Sequence, residues 1–255
     1  MTDIQTYAEV VDEAARTASA IPQFTSSGPL SVADAYAVQA ASIERRLKRG
    51  EKLVGVKMGL TSRAKMKQVN VDEVVWGRLT DAMRLEEGAS LSKRRFVHPR
   101  IEPELAFLLK APLTGEVTAA EAMAAVAAIA PAMEIIDSRY QNFKFALPDV
   151  IADNSSSSGF VVGDWSSPTQ DFSNLGLVME VDGRPVEIGS TAAILGNPSR
   201  SLVAAARLAG AALGRLEAGW IILAGGATAA HSLKVGERVR LTMQNLGSVS
   251  IRVAE

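Results

Sequence analysis

The chain has 255 residues, of which 47% are hydrophobic and 22% charged, with a formal net charge of -1. That is long enough for a sizeable core, and it offers no basic field for gripping nucleic acid or an anionic membrane. The absence of cysteine excludes disulfides, thiolate metal sites and cysteine nucleophiles, and no apolar run reaches membrane-spanning length.

The first fifty residues read as helical. Ser31 with Asp34 three residues later makes a capping-box-like start, Gly50 a stop, and Val32, Tyr36, Ile43 and Leu47 a helical stripe. The period then changes: Leu53 to Leu60 reads as a strand with two glycines, and Ser62 to Val69 as a short helix. A strand over Ile101–Leu109 follows. Thr118 with Glu121 opens an alanine-rich helix that leads into a strand over Ala132–Ile136.

The remainder is β-rich. Asp182-Gly183 joins Leu177–Val181 to Arg184–Ile188 as a hairpin, and Asn197-Pro198 opens a helix that Gly214 closes. Trp220–Ala224 is an apolar strand running into Gly225-Gly226, and strands over Val239–Met243 and Val249–Val253 end the chain. The run Ser155–Ser158, flanked by Ile151 and Phe160-Val161-Val162, suggests a turn held between packed segments rather than a loose surface loop. The N-terminus lacks the basic start and apolar stretch of a secretory signal, so a cytoplasmic location is expected.

The chemistry concentrates in a few carboxylates. Glu102 and Glu104 are two apart in a strand and share a face, opposite Ile101 and Leu105. Pro103 between them points to an edge or bulged strand. Glu134 stands in the apolar run Ala130–Ile136, where a lone carboxylate needs a partner. Three acidic oxygens, with water in the remaining positions, suit magnesium or manganese. Lys57 lies in an equally apolar strand, where an ammonium either snorkels to water or serves a cleft. His98 precedes Pro99 and reads as a turn or packing residue. His231 follows Gly225-Gly226-Ala227-Thr228, whose backbone N–H groups and Thr228 hydroxyl suit a carboxylate. Arg139 and Lys144 are candidates to balance an anionic substrate.

Five stretches in order carry a likeness: Tyr36-Ala37-Val38-Gln39, Gly55–Ser62, Pro99–Glu104, Glu134–Arg139 and Ile151–Ser156. Together they resemble the hydratase/decarboxylase branch of the fumarylacetoacetate hydrolase superfamily over nearly the whole chain. The resemblance implies an α+β fold with a mixed β-roll core and a helical N-terminal region. Residues 1–85 would form that helical region with the Lys57 strand, and 86–255 a β-rich metal-binding domain. It implies Mg2+ or Mn2+ on Glu102, Glu104 and Glu134, a catalytic Lys57, and a cleft where Asp153, Ser155, Ser156, Thr228 and Arg139 handle substrate oxygens.

The segments Lys57–Met66 and Trp76–Met83 resemble the decarboxylases of that branch, which implies a small 2-oxo dicarboxylate substrate in aromatic meta-cleavage catabolism. A homo-oligomer is expected, with a 2-oxopent-4-enoate hydratase as a further partner. The alternatives are a 2-oxopent-4-enoate hydratase and a non-catalytic partner subunit of one. The sister hydratases resemble one another in an acidic residue just before the aromatic-glycine pair. Here Val75 precedes Trp76-Gly77, and valine cannot relay the proton that adding water requires. The hydrolases of the superfamily use a Glu-His pair near the N-terminus, and this chain has no histidine before His98.

Overall fold

The computed structural model describes residues 3–62, 66 and 73–255. Of the predicted helix over Ser62–Val69, all but Ser62 and Met66 lie outside the described residues. The N-terminal helical signals form two helices, α1 (Ile4–Thr17) and α2 (Val32–Lys48). Asp3 and Ser31 cap them by accepting from the backbone N–H groups of Thr6 and Asp34.

Among the described residues the strands form two sheets. The larger has eight strands, in the order β2 (Val75–Thr80), β1 (Leu53–Gly59), β10 (Ile221–Leu223), β5 (Arg100–Leu109), β6 (Val126–Ile136), β7 (Ser157–Val162), β3 (Arg84–Leu85), with β11 (His231–Ser232) also on β5. The smaller has five, in the order β4 (Ser90–Ser92), β13 (Gly247–Ala254), β12 (Arg238–Met243), β8 (Gly176–Val181), β9 (Arg184–Ser190). Parallel and antiparallel neighbours are mixed. The Lys57 strand is thus part of the same sheet as the glutamate strands.

The two faces of the large sheet have different neighbours. Ile101, Leu105, Phe107, Met133 and Val161 face the smaller sheet and share one core with Met179, Leu241, Val249 and Ile251. On the opposite face Ala106, Ala132, Phe160 and Leu223 pack with Leu79, Met83 and Ile43 of α2. Residues Glu102, Glu104 and Glu134 alternate onto that second face.

Two sequence expectations are corrected. The helix opened by the Thr118–Glu121 capping box is α3 (Ala119–Ala124), and it ends before the alanine-rich run does. Val126–Ala130 is strand, because Ala128, Ala130 and Ala132 pair with Leu108, Ala106 and Glu104, and pairing overrides alanine's helical preference. Nor is β5 an edge strand. The carbonyl of Pro103 accepts from the Ala227 N–H (2.9 Å), so its nitrogen faces the same side, the gap between β10 and β11. A residue without an N–H is tolerated there because a loop, not a strand, passes it. The Asp182-Gly183 hairpin forms as expected, with both residues at positive φ. The helix after Asn197 is α5 (Pro198–Ala205), continued by a π turn over Ala206–Gly210. No helix of the described residues is long and apolar enough to cross a membrane.

Candidate active site

Glu102 and Glu104 project from β5 as an i, i+2 pair, and Glu134 lies directly across from Glu102 in the β5–β6 ladder. One carboxylate oxygen from each falls within 4.8 Å of the others, and all three residues are buried. Like charges so close in a low-dielectric site repel, and the effect is visible in their protonation. Burial first, then the charges of Glu134 and Glu102, push Glu104 well above the usual carboxylate range. Burial also raises Glu134, against the pull of Lys57.

Lys57 approaches from β1, two strands away. Its Nζ lies 2.9 Å from Glu134 Oε2, with the lysine only 3% exposed. Burial alone would lower its pKa. Glu134, Glu102 and Glu104 outweigh that and raise it, so the lysine is a fixed ammonium. The snorkelling alternative is therefore not what this side chain does.

The loop after β10 closes the other side. The Gly225 N–H donates to Glu104 Oε2 (2.7 Å). A side chain at Gly226 would place its Cβ 2.4 Å from Glu102 Oε2, so the loop's approach to the carboxylates requires glycine. Glu104 Oε1 and Glu134 Oε1 nevertheless remain buried without a hydrogen-bond partner. Orphaned anionic oxygens are expensive, and oxygens converging within a few ångströms match the geometry of a hard divalent cation with ligands at about 2.0–2.6 Å. The donor set fits Mg2+ or Mn2+.

The turn between α4 (Leu147–Ala152) and β7 sits over the same face. The Asn154 carbonyl oxygen lies 2.5 Å from where a Cβ on Gly77 would be, and Gly77 is the register partner of Lys57. Asn154, Ser155 and Ser156 are all left-handed, with φ of 49°, 51° and 61°. Non-glycine residues resist that conformation, so the turn must be held. The Asn154 side chain exchanges two hydrogen bonds with the Arg78 backbone, at 2.8 and 2.9 Å, and the Ser155 hydroxyl donates to the Trp76 carbonyl (2.8 Å). Ser156 keeps a buried hydroxyl with no hydrogen-bond partner. The first half of the serine run is thus a packed turn, and Ser157 and Ser158 open β7.

The remaining sequence candidates have other neighbours. The Arg139 guanidinium is engaged by the Asp153 carboxylate, the Asp153 carbonyl and the Ser158 hydroxyl. Burial raises Asp153 to about 7 even against that arginine. Arg139 and Asp153 therefore hold the left-handed turn from behind. Thr228 Oγ1 donates to the Ala229 carbonyl (2.9 Å), and its methyl packs at Gly189. His98 donates its backbone N–H to Asp137, and His231 lies 3.3 Å from Glu237. Sequence reasoning did not place Val75 in space. Its Cγ2 is 3.0 Å from the position of a Cβ on Gly59, and Lys57 Nζ is 3.7 Å from that same point. Period-two alternation of β2 against β1 was the signal for this neighbourhood.

Residues 56–254 match the family described as fumarylacetoacetate (FAA) hydrolase, C-terminal. The chain belongs to the fumarylacetoacetate hydrolase family. It is 57% identical to a 4-oxalocrotonate decarboxylase of Pseudomonas sp, over 97% of this chain and 96% of that one. It is 33% identical to a 2-hydroxyhexa-2,4-dienoate hydratase of Comamonas testosteroni, over 99% and 98%. Among solved structures, 4-oxalocrotonate decarboxylase from Pseudomonas putida G7, complexed with magnesium and adipate, superposes with a TM-score of 0.95 at 39% identity, covering 99% of this chain and 98% of that one. The family's mixed β-roll with N-terminal helices is the fold described above.

Proposed function

We propose that this chain is a divalent-metal-dependent carboxy-lyase that converts 2-oxo-3-hexenedioate (4-oxalocrotonate) to 2-hydroxypenta-2,4-dienoate and carbon dioxide in aromatic meta-cleavage catabolism. The observation that carries the reading is the convergence of Glu102, Glu104, Glu134 and Lys57 in one buried cluster. The 57% identity to a decarboxylase over almost the full chain supports it.

Glu102, Glu104 and Glu134 would hold Mg2+ or Mn2+. When bound, the cation supplies Lewis acidity toward the 2-oxo acid end of the substrate. The C5–C6 bond breaks, and its electron pair moves through C5, C4 and C3 to the C2 oxygen. Lys57 stabilises the negative charge that develops there, since its raised pKa keeps the ammonium intact. Protonation of that oxygen completes the enol product. The Asn154–Ser156 turn positions the Ser156 hydroxyl toward a substrate oxygen, and Arg139 with Asp153 fixes the turn. Gly225 and Gly226 let the loop that carries Thr228 close over the carboxylates.

Val75 separates this reading from that of a hydratase. It stands beside Lys57, where a water-adding enzyme needs a proton relay, and it carries none. The product is an unsaturated 2-hydroxy acid of the kind such hydratases consume. A cytoplasmic oligomer working beside a 2-oxopent-4-enoate hydratase is therefore the arrangement we favour. The test is to supply purified protein and magnesium with 2-oxo-3-hexenedioate and identify the products. Carbon dioxide and 2-hydroxypenta-2,4-dienoate are expected. Hydration of 2-hydroxypenta-2,4-dienoate without carbon dioxide release from the dicarboxylate would move the chain to the hydratases.

A further inference from the structure

Trp76 and Arg78 flank Gly77 on β2, so they alternate to the face opposite the one that meets Lys57. At this edge of the sheet they line, together with Val75 from the other side of β2, a cavity of about 760 Å³ between α2, β2, α4 and the π turn after α5. Its size lies in the range of small-molecule sites. Its walls are mostly apolar: Tyr36, Trp76, Leu147, Ile151 and Leu208 line it together with Arg78, and the one carboxylate of the lining, Glu73, is paired at the exposed rim with Arg207 (2.9 Å). Tyr36 stacks on Trp76 with ring centroids 5.4 Å apart, forming a flat aromatic wall.

Arg78 is the anomaly in that wall. It is 92% buried, at 8% exposure. Its guanidinium lies over the Trp76 ring, 4.6 Å from the centroid, and one nitrogen donates to the neutral Gln39 side chain. Among the described residues no carboxylate pairs with it, and burial pulls its pKa down to about 10 with no carboxylate to offset the cost. Among the described residues the other strongly buried cations have anionic partners: Lys57 has Glu134 and Arg139 has Asp153. A guanidinium carries five donors in a planar fork, and Gln39 takes one. Stability alone does not favour keeping a cation in such a wall, where a longer apolar side chain packs as well.

We propose that this cavity is a second small-molecule site, taking a flat organic monoanion whose carboxylate meets Arg78 and whose apolar body lies along Tyr36 and Trp76. A single cation facing aromatic and aliphatic walls selects one carboxylate on an apolar frame, not a dianion or a sugar. None of the three glutamates, nor Lys57, lines it, and the proposal does not depend on the reaction assigned to them.

The test is calorimetric titration of the full-length, metal-free protein with benzoate, with benzamide as the uncharged match in shape. Saturable benzoate binding is expected, with benzamide weaker by at least about tenfold, the loss appropriate to a charge-assisted contact. Arg78→Met should weaken benzoate by a similar factor, and Arg78→Lys should weaken it less, since the charge remains. Glu104→Gln should leave it unchanged, because a carboxylate bound at the glutamate cluster would respond there instead. The benzamide comparison needs no variant and so stands even if Arg78→Met fails to fold. Equal binding of benzoate and benzamide, benzoate affinity that follows Glu104 rather than Arg78, or no saturable binding would each overturn the proposal. So would sedimentation showing a dimer that Leu208→Glu disperses, since the cavity would then be an interface between copies.

Discussion

Removing the divalent cation should destabilise the fold by an amount that magnesium restores in proportion to its saturation. The structure gives the reason: Glu104 Oε1 and Glu134 Oε1 are buried without hydrogen-bond partners, beside a third carboxylate. A ligand that binds only the folded chain stabilises by RT ln(1 + [L]/Kd), or about 2.7 kcal/mol at a hundredfold excess over Kd. For a chain of this size that corresponds to a rise in Tm of roughly 5–11 °C. The metal-free protein should also respond to pH. Glu104 and Glu134 have folded pKa values raised above their unfolded ones. Their favourable contribution is then fully present below the usual carboxylate range and is lost as pH rises through the raised values. Magnesium displaces those protons and should flatten the dependence. The assay is thermal unfolding by circular dichroism, with chelator and then with increasing magnesium, across a pH series. Glu104→Gln removes one of the crowded charges, so its metal-free form should be at least as stable as the metal-free parent at neutral pH, yet gain little from magnesium. A parent whose Tm ignores magnesium at every pH, or a Glu104→Gln variant that gains as much as the parent, would refute the assignment.

Two further outcomes concern the reacting end of the site. Lys57→Met should stay folded and lose about 2.7–4 kcal/mol of transition-state stabilisation, read as a roughly 10²–10³-fold fall in turnover. Divalent affinity should be unchanged or tighter, because a cation 2.9 Å from a ligand carboxylate is gone; weaker metal binding would make Lys57 a structural partner of Glu134 instead. Val75→Asp sets a new buried carboxylate beside Lys57. Carbon dioxide release should slow and the fold weaken by about 1–3 kcal/mol, and an undiminished turnover would show that Val75 does not adjoin the reacting groups.

Much of this was legible in the sequence wherever a period and a chemical anomaly coincided. Glu102 and Glu104 share a face because strands alternate, and Glu134 and Lys57 stood out as charges within apolar runs. The Ser31 cap, the Thr118–Glu121 capping box and the Asp182-Gly183 hairpin follow from local chemistry, and the held turn falls at Asn154–Ser156, with Ser157 and Ser158 already strand. What failed depended on partners distant in the chain. Val126–Ala130 has a helical composition and becomes strand through pairing with β5. Pro103 has an edge-strand signature and sits inside a sheet, because the gap it faces is made by residues more than a hundred positions away. The mutual engagement of Arg139 and Asp153 was hidden for a related reason. A spacing of fourteen residues does not disclose that the two meet behind one turn.

That turn supports the last prediction. Three consecutive left-handed residues without glycine cost on the order of 1–2 kcal/mol each. Asparagine tolerates the conformation best, and Asn154 also ties the turn to β2 through both polar atoms of its side chain. Asn154→Ala forfeits the tolerance and both hydrogen bonds at once. At about 1 kcal/mol per bond, plus the backbone penalty, the fold should lose roughly 2–4 kcal/mol. Asn154→Gly removes the same bonds but relieves the backbone, so it should be the more stable of the two by about 1 kcal/mol or more. Activity should order differently. Both variants release the turn from Gly77, opposite Lys57, so both should raise KM, and the glycine variant should not recover activity along with stability. Urea unfolding and steady-state kinetics on the two proteins separate these effects. If Asn154→Gly restored both together, the side-chain tie to β2 would have no part in positioning the turn, and strain alone would account for the residue.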